Sequence, residues 1–250
     1  VDLIYGLPHQ NTESIKTTID TVLSLDPDRL ALYHYAHLPH IFKPQRRIDT
    51  NVVPGSEEKL DMLQYCVQTL TERGYVFIGM DHFAKPDDEL SIALKEGFLQ
   101  RNFQGYSTYA DCDLVAIGVS SIGKIGSTYS QNERDIDAYY AALDAGHLPI
   151  MRGYQLDQDD ILRRNIIQDL MCRFSLDYQI YESVFGIPFS RYFAAELEDM
   201  KQLETLGLVR LKPHSLTVTP KGRFLIRNIA MVFDYHLRHK ETKAKYSQTV

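Results

Sequence analysis

Apolar residues in the first half of the chain switch between short continuous runs and stretches that recur at helical spacing. Leu3 to Gly6 reads as a strand, closed by Leu7-Pro8. Asn11 or Thr12 can cap a helix through about Leu25, with Ile15, Ile19, Val22 and Leu23 on one face and Pro27 stopping it. Leu30 to Tyr35 is the next strand. Pro54-Gly55-Ser56-Glu57 then opens a helix carrying Leu60, Leu63, Cys66, Val67 and Leu70, which ends at Gly74. Tyr75 to Gly79 is a third strand. A polar, aromatic stretch from Asp81 to Asp113 follows, holding one helix from Asp87 to Glu96 and a loop rich in Phe, Gln, Gly and Tyr. Leu114 to Ser120 reads as a fourth strand, Ile122 to Gly126 as a turn, and Glu133 to Asp144 as a helix. Strands alternating with helices predict a parallel sheet with crossover helices, either an open α/β sheet or part of a (βα)n barrel.

Past a boundary expected between Gly146 and Gly153 the pattern turns helical. Asp157 to Asp160 cap a helix through Cys172, and Ile187-Pro188 precedes another through about Leu206. Leu208 to Leu211 and Leu216 to Val218 form a hairpin. A last helix from Pro220 to about His236 places Leu225, Ile229, Val232 and Phe233 on one face. Helix, helix, hairpin, helix is a winged-helix-like outline. The expectation is therefore an α/β partial barrel over residues 1–150 and a mostly helical winged-helix-like domain over 151–250.

A length of 250 residues is enough for such a pair, and the formal charge of −6 argues against a general nucleic-acid binder. The cations of the last segment, Lys221, Arg223, Arg227, Arg238, Lys240, Lys243 and Lys245, oppose that view. The candidate recognition helix answers them with Glu196, Glu198, Asp199 and Glu204, which would repel a phosphate-lined groove. A structural cap is the better reading. No apolar run is long enough to span a bilayer and no secretory signal opens the chain, so a cytoplasmic monomer with no nucleic-acid or membrane partner is expected. The 3 cysteines, Cys66, Cys112 and Cys172, lack the paired spacing of a zinc or iron-sulfur loop, and no metal ligand is assigned. Val1 already begins an apolar strand pattern, which suggests that a longer chain precedes it.

Several segments carry candidate chemistry. Asp2 puts a carboxylate in an apolar strand, where it needs hydrogen bonds or a ligand; the alternative is a solvent-facing edge. Tyr33 to Pro39 concentrates rings and imidazoles after a strand, with small Ala36 leaving room for a flat ring beside the backbone. The spacing of His34 and His37 is not that of a helical metal pair, so packing or hydrogen bonding is preferred. Asp81 beside His82 invites an acid/base role, but neighbours on a strand point to opposite faces. Gly118 to Gly123 lacks a full phosphate-binding glycine pattern and offers at most a backbone surface for an adenine.

Taken in order, Asp2 to Pro8 with Gln10 and Glu13-Ser14, Tyr35 to Pro39, Gly79 to Ala84, Arg101 to Tyr106 and Gly118 to Ile122 resemble the radical S-adenosylmethionine (SAM) coproporphyrinogen III dehydrogenases of haem synthesis. The haem-chaperone branch of the same superfamily, a haem-binding alternative, shares the first motif but has a tryptophan-containing segment in place of Asn102-Phe103-Gln104-Gly105-Tyr106. The resemblance covers essentially the whole chain. It implies that residues 1–150 are the carboxy-terminal part of a radical SAM partial barrel. It also implies that Asp2 and Ala36, with Ile4 and Tyr33 nearby, contact SAM. Gln104 and Ile122 match a second SAM site, with Phe103 beside Gln104 at the reacting centre.

In such enzymes a [4Fe-4S] cluster on a C-x3-C-x2-C loop cleaves SAM to a 5′-deoxyadenosyl radical. That radical takes a hydrogen from a propionate of coproporphyrinogen III. Loss of carbon dioxide and one electron leaves a vinyl group, and two such reactions give protoporphyrinogen IX. The electron acceptor stays open. Lys43, Arg46, Arg47 and Arg101 are candidates to meet substrate carboxylates. The cluster ligands are expected upstream of Val1, and these 250 residues alone are expected to be inactive.

Overall fold

A computed structural model describes residues 1–109 and 112–239 and shows a mixed α/β architecture. Strand β1 (Asp2–Tyr5), helix α1 (Thr12–Leu23), strand β2 (Arg29–His34) and helix α2 (Ser56–Glu72) follow the predicted order. Helix α1 starts where the sequence allows it. Asn11 Oδ1 accepts from the Ser14 amide at 2.9 Å, while Ser14 Oγ accepts from the Asn11 amide at 3.0 Å, so two otherwise orphaned donors are satisfied. Strands β1 and β2 pair in parallel, Asp2 opposite Ala31 and Tyr5 opposite His34.

The sheet then departs from the expected pattern. After β3 (Val76–Gly79) the chain turns through Met80 and Asp81 into β4 (His82–Ala84), which inserts antiparallel between β2 and β3. The order is β1-β2-β4-β3. The described residues from 81 to 109 are also more regular than expected: α3 (Glu89–Glu96) is followed by a hairpin of β5 (Gln100–Asn102) and β6 (Gly105–Ser107). Leu114 to Ser120 is not a strand. It contributes one isolated bridge, Leu114 to Lys124, and leaves Val115 and Ile117 exposed. The expected turn at Ile122 is itself strand β7 (Ile122–Ile125), paired with β8 (Thr128–Asn132). Helix α4 (Ile136–Asp144) leads to β9 (Ile150–Gln155), which joins β8 and runs through the stretch expected to be a boundary.

The second half opens with α5 (Gln158–Arg173), capped by Asp157 as predicted, then β10 (Ser175–Asp177), α6 (Tyr178–Phe185), α7 (Phe189–Tyr192) and α8 (Ala194–Thr205). Strands β11 (Val209–Lys212) and β12 (Ser215–Val218) form the expected hairpin, to which β10 adds a third strand. The single helix expected after Pro220 is three: α9 (Pro220–Arg223), α10 (Ile226–Met231) and α11 (Tyr235–Arg238). The breaks let Phe224 pack under the first sheet while Ile226, Ile229 and Phe233 enter the helical core. One straight helix cannot face both. Lys240, Lys243 and Lys245 lie outside the described residues.

Two cores result. In one, α1 and α2 lay Ile15, Ile19, Met62, Cys66 and Leu70 against Tyr5, Leu30, Leu32 and Phe83 on one face of the first sheet. The other joins Ile78, Ala84, Leu90 and Leu99 to the helical half through Leu162, Ile166 and Leu170. The halves therefore share a core rather than meeting across a polar linker. Among the described residues no helix is long and apolar enough to cross a membrane.

Candidate functional site

Side chains alternate across a strand, and residues paired between neighbouring strands share a face. Leu3, Tyr5, Leu32 and His34 therefore lie on the face that α1 and α2 cover. Asp2, Ile4, Ala31 and Tyr33 lie on the other, and the pairing of Ala31 with His82 puts His82 there as well. The helical half covers this second face only over β3 and β4. Asp2, Ile4 and Tyr33 remain exposed, Ile4 by 45% and Tyr33 by 38%. Large apolar side chains on an uncovered sheet face are the signature of a surface that meets something else.

A chain of aromatic contacts extends from this face. Tyr33 meets the edge of His82 with centroids 6.1 Å apart, and His82 meets Tyr106 at 5.3 Å. Arg101 lies over the Tyr106 ring at 5.7 Å. Tyr106 is fixed by its hydroxyl, which donates to the Met171 carbonyl of α5 at 3.1 Å. Gly79 makes room for it, since a side chain there would overlap the Tyr106 hydroxyl. Partial burial, then the carboxylates of Asp2 and Asp81, push the Tyr33 phenol above its usual pKa, while Arg101 pulls it down. Those charges therefore converge on one ring.

Asp81 and His82 are hydrogen-bonded, Asp81 Oδ1 to His82 Nδ1 at 2.6 Å. This corrects the expectation that they point to opposite faces. Asp81 is in a turn, where Met80 takes a positive φ of 49°, so its carboxylate can fold back onto the first ring of β4. The pair is mostly sheltered, with side chains 18% and 19% exposed.

The remaining predicted residues fall into two places. Ala36 lies past the end of β2, where its carbonyl accepts from Gln45 Nε2 at 3.0 Å and Gln45 Oε1 accepts from the Leu38 amide at 2.5 Å. Phe103 and Gln104 form the tip of the β5–β6 hairpin, with the Gln104 amide donating to Asn102 Oδ1 at 2.8 Å. The Phe103 ring meets Tyr129 of β8 edge-on at 5.4 Å, and Ile122 sits on β7 beside it in the same sheet. Asp2, Ile4 and Tyr33 thus share one face, while Phe103, Gln104 and Ile122 gather around two hairpins. His82 and Tyr106 connect the groups. Lys43, Arg46 and Arg47 lie on an exposed 3₁₀ turn, Lys43–Arg47, with Arg46 donating to the Pro39 carbonyl at 2.9 Å, whereas Arg101 is partly buried.

Three polar groups were not anticipated. Buried Gln131 and Asn132 pin the Gly118 to Ser121 turn, donating to the Ser120 carbonyl at 3.1 Å and the Gly118 carbonyl at 3.0 Å. Arg164 on α5 lines a cavity of about 640 Å³ with Arg101 and Phe103. The signal in the sequence was the doubled cation Arg163-Arg164 between apolar Leu162 and Ile166, which a helix must direct to two environments.

The HemN C-terminal domain family matches residues 156–225. The oxygen-independent coproporphyrinogen III oxidase of Thermostichus vulcanus is 46% identical over 241 residues, spanning 96% of this chain and 74% of that protein. The chain belongs to the oxygen-independent coproporphyrinogen III oxidase family. The family's oxidase from Salmonella typhimurium is 46% identical over all 250 residues, which are 55% of its own length. A solved structure described as coproporphyrinogen III oxidase (HemN) from Escherichia coli, a radical SAM enzyme, superposes with a TM-score of 0.91 at 48% identity. That match covers 94% of this chain and 54% of that one. The chain spans about half the length of the first of these oxidases to which it aligns.

The cysteines do not fit an iron-sulfur cluster. Burial pushes the thiols of Cys66 and Cys172 up to about 12, so both stay protonated at neutral pH. Cys112 is exposed, and among the described residues no three His, Cys, Asp or Glu side chains are grouped to hold a metal. The uncovered sheet face does fit a nucleoside-like ligand: a carboxylate, an aliphatic side chain and an aromatic ring stand side by side on it.

Proposed function

We propose that this chain forms the SAM- and substrate-facing part of an oxygen-independent coproporphyrinogen III oxidase, an oxidoreductase of haem synthesis that yields protoporphyrinogen IX. The observation that carries the reading is the uncovered half of the first sheet, where Asp2, Ile4 and Tyr33 stay exposed beside a sheltered Asp81–His82 pair. Family membership supplies the chemistry such a face would serve. Bound SAM, together with a [4Fe-4S] cluster whose ligands come from outside these residues, supplies the one-electron chemistry that removes a hydrogen atom from a propionate.

The residues of this chain bind and orient. Asp2 accepts hydrogen bonds from the polar groups of SAM, Tyr33 offers a ring face, Ile4 excludes water, and the backbone at Ala36 borders the same ligand. Phe103, Gln104 and Ile122 border a second SAM beside the substrate. His82, oriented through Nδ1 by Asp81, packs against the Tyr33 ring and so holds that ring in place on the site's face.

The test uses the full-length protein with its cluster intact, supplied anaerobically with coproporphyrinogen III, SAM and a reductant. Carbon dioxide release with formation of protoporphyrinogen is expected. Asp2→Ala should weaken SAM binding by about tenfold or more, the effect of losing hydrogen bonds to a charged group. An intact cluster with no turnover would reject the reading.

A further inference from the structure

The cavity between the β5–β6 and β7–β8 hairpins and helices α5 and α6 holds cationic groups that the fold leaves unmatched. Its carboxylates are already engaged. Asp169 accepts from the Tyr181 hydroxyl at 2.6 Å and pairs with Arg173 at 3.2 Å, and Asp113 accepts from the Gly126 amide at 2.8 Å. Its cations are not all engaged. Arg164 Nη1 and Arg101 Nε are buried with no hydrogen-bond partner, and among the described residues Lys124 makes no ion pair. A buried guanidinium N–H without an acceptor has lost its water and gained nothing in return, so such groups in a native fold ask for an explanation.

The placement of the two arginines is not accidental to the fold. Arg164 and Gln168 are one helical turn apart on α5, on the side that faces β5, where Gln168 Nε2 donates to Gln100 Oε1 at 2.8 Å. Arg101 follows Gln100 on that strand. Arg163, the preceding residue on α5, is fully engaged elsewhere, with Asp159 at 2.7 Å and Glu196 at 2.8 Å. The edge-to-face pair Phe103 and Tyr129 also lines the cavity. Flat rings beside unmatched guanidinium groups suit a ligand that is broad, mostly apolar and carries carboxylate arms. A volume of about 640 Å³ is within the usual range for a small-molecule site.

We propose that this cavity binds propionate carboxylates of coproporphyrinogen III, with Arg164 of the helical half as the principal positioning residue and Arg101 as its partner. The inference rests on the function proposed above and assigns the helical half a direct share in substrate recognition. Because decarboxylation leaves part of the substrate's propionates intact, a site for unreacted carboxylates can hold the macrocycle while another arm reaches the hydrogen-abstracting centre.

Full-length protein carrying Arg164→Gln, titrated with coproporphyrin III and separately with its tetramethyl ester, tests this directly. The variant should bind the tetracarboxylate about tenfold or more weakly than wild type, the effect of losing a charge-assisted contact, and bind the ester unchanged. In turnover, KM for coproporphyrinogen III should rise with little change in kcat, and Arg164→Lys should recover part of the loss. Equal binding of the tetracarboxylate by wild type and Arg164→Gln would overturn the site and leave the enzyme reading standing. Equal weakening for acid and ester, with a lowered Tm, would mean a structural role and overturn it too. A wild-type enzyme that neither binds coproporphyrin III nor turns over the porphyrinogen would overturn the functional reading along with the site.

Discussion

Arg163 and Arg164 are neighbours on α5, yet they belong to regions that treat charge in opposite ways. Arg163 enters the helical core between the Phe193 and Tyr235 rings and donates to Asp159, Glu196 and the Phe233 carbonyl. The four carboxylates expected on that side are likewise engaged. Glu198 pairs with Lys201 and Asp199 with Arg238, while Glu204 accepts from the Leu211 amide. Around the first sheet and its hairpins, by contrast, nitrogens of His34, His37, Arg101 and Arg164 are buried without partners, and Tyr33 and Ile4 stand open. A region that satisfies its own polar groups is built for stability, and one that leaves them unmatched is built to be completed by a ligand.

The largest expected effect lies in the satisfied region. Glu196→Ala removes one of the two carboxylates that hold the buried Arg163 guanidinium, leaving Asp159 and the Phe233 carbonyl, and should cost about 2–3 kcal/mol by denaturant unfolding, as loss of a hydrogen bond between charged groups does. Replacing both, as Arg163→Met with Glu196→Leu, should recover most of that loss, because an apolar pair of similar volume leaves no charge buried. The thiols report where the damage goes. Cys172 belongs to the core that Glu196 supports and Cys66 to the core under α1 and α2. If the regions differ as described, Glu196→Ala should speed labelling of Cys172 well beyond that of Cys66. Equal acceleration would show that both cores open as one unit.

A smaller effect separates packing from charge in the same region. Gly222 of α9 sits against the Leu208 carbonyl, where an added Cβ would overlap backbone rather than a movable side chain. Gly222→Ala should therefore cost about 1–3 kcal/mol through overpacking, measured as a fall in Tm, with SAM binding by the full-length protein retained. Loss of SAM binding in that variant would show that the sheet face depends on the helical half more closely than its separate core implies.

Legibility in the sequence followed the same division. Elements longer than about ten residues, α1, α2 and α5, were readable because helical periodicity is local, and α1 and α5 also carry capping side chains at their starts. The three-residue strands β4, β5 and β6 were not, since so few positions show no alternation and their partners are distant in sequence. Leu114 to Ser120 misled for the converse reason: its apolar run looks like a strand, while the fold leaves Val115 and Ile117 outside. At the candidate site, Asp2 and Tyr33 stood out by their residue types and Ile4, Phe103, Gln104 and Ile122 were named from the resemblance, whereas their grouping on one face and around two hairpins was not visible. The Asp81–His82 contact depends on the left-handed turn at Met80, which has no local signal, whereas the doubled cation Arg163-Arg164 marks two environments without saying which residues, packed between the halves, surround Arg164.

The smallest effect tests whether the sheet region is as dry behind its open face as its orphaned nitrogens indicate. His34 packs against Tyr5 with ring centroids 5.4 Å apart, and its Nε2 is buried without a partner. Burial, together with the positive charges of Lys59 and Arg227, lowers its pKa from the ordinary 6.5. The folded protein therefore keeps this imidazole neutral at a pH where the unfolded chain would protonate it. Its contribution is fully present above about pH 6.5 and is lost as pH falls through the depressed folded value. The stability difference between wild type and His34→Gln should thus be constant above that pH. Below it the wild type should lose stability faster, by at most about 1.4 kcal/mol per pH unit for one proton. A difference that stays flat down to pH 5 would mean that water or a mobile partner reaches Nε2, and the contrast between the two regions would then rest on His37 and the two arginines.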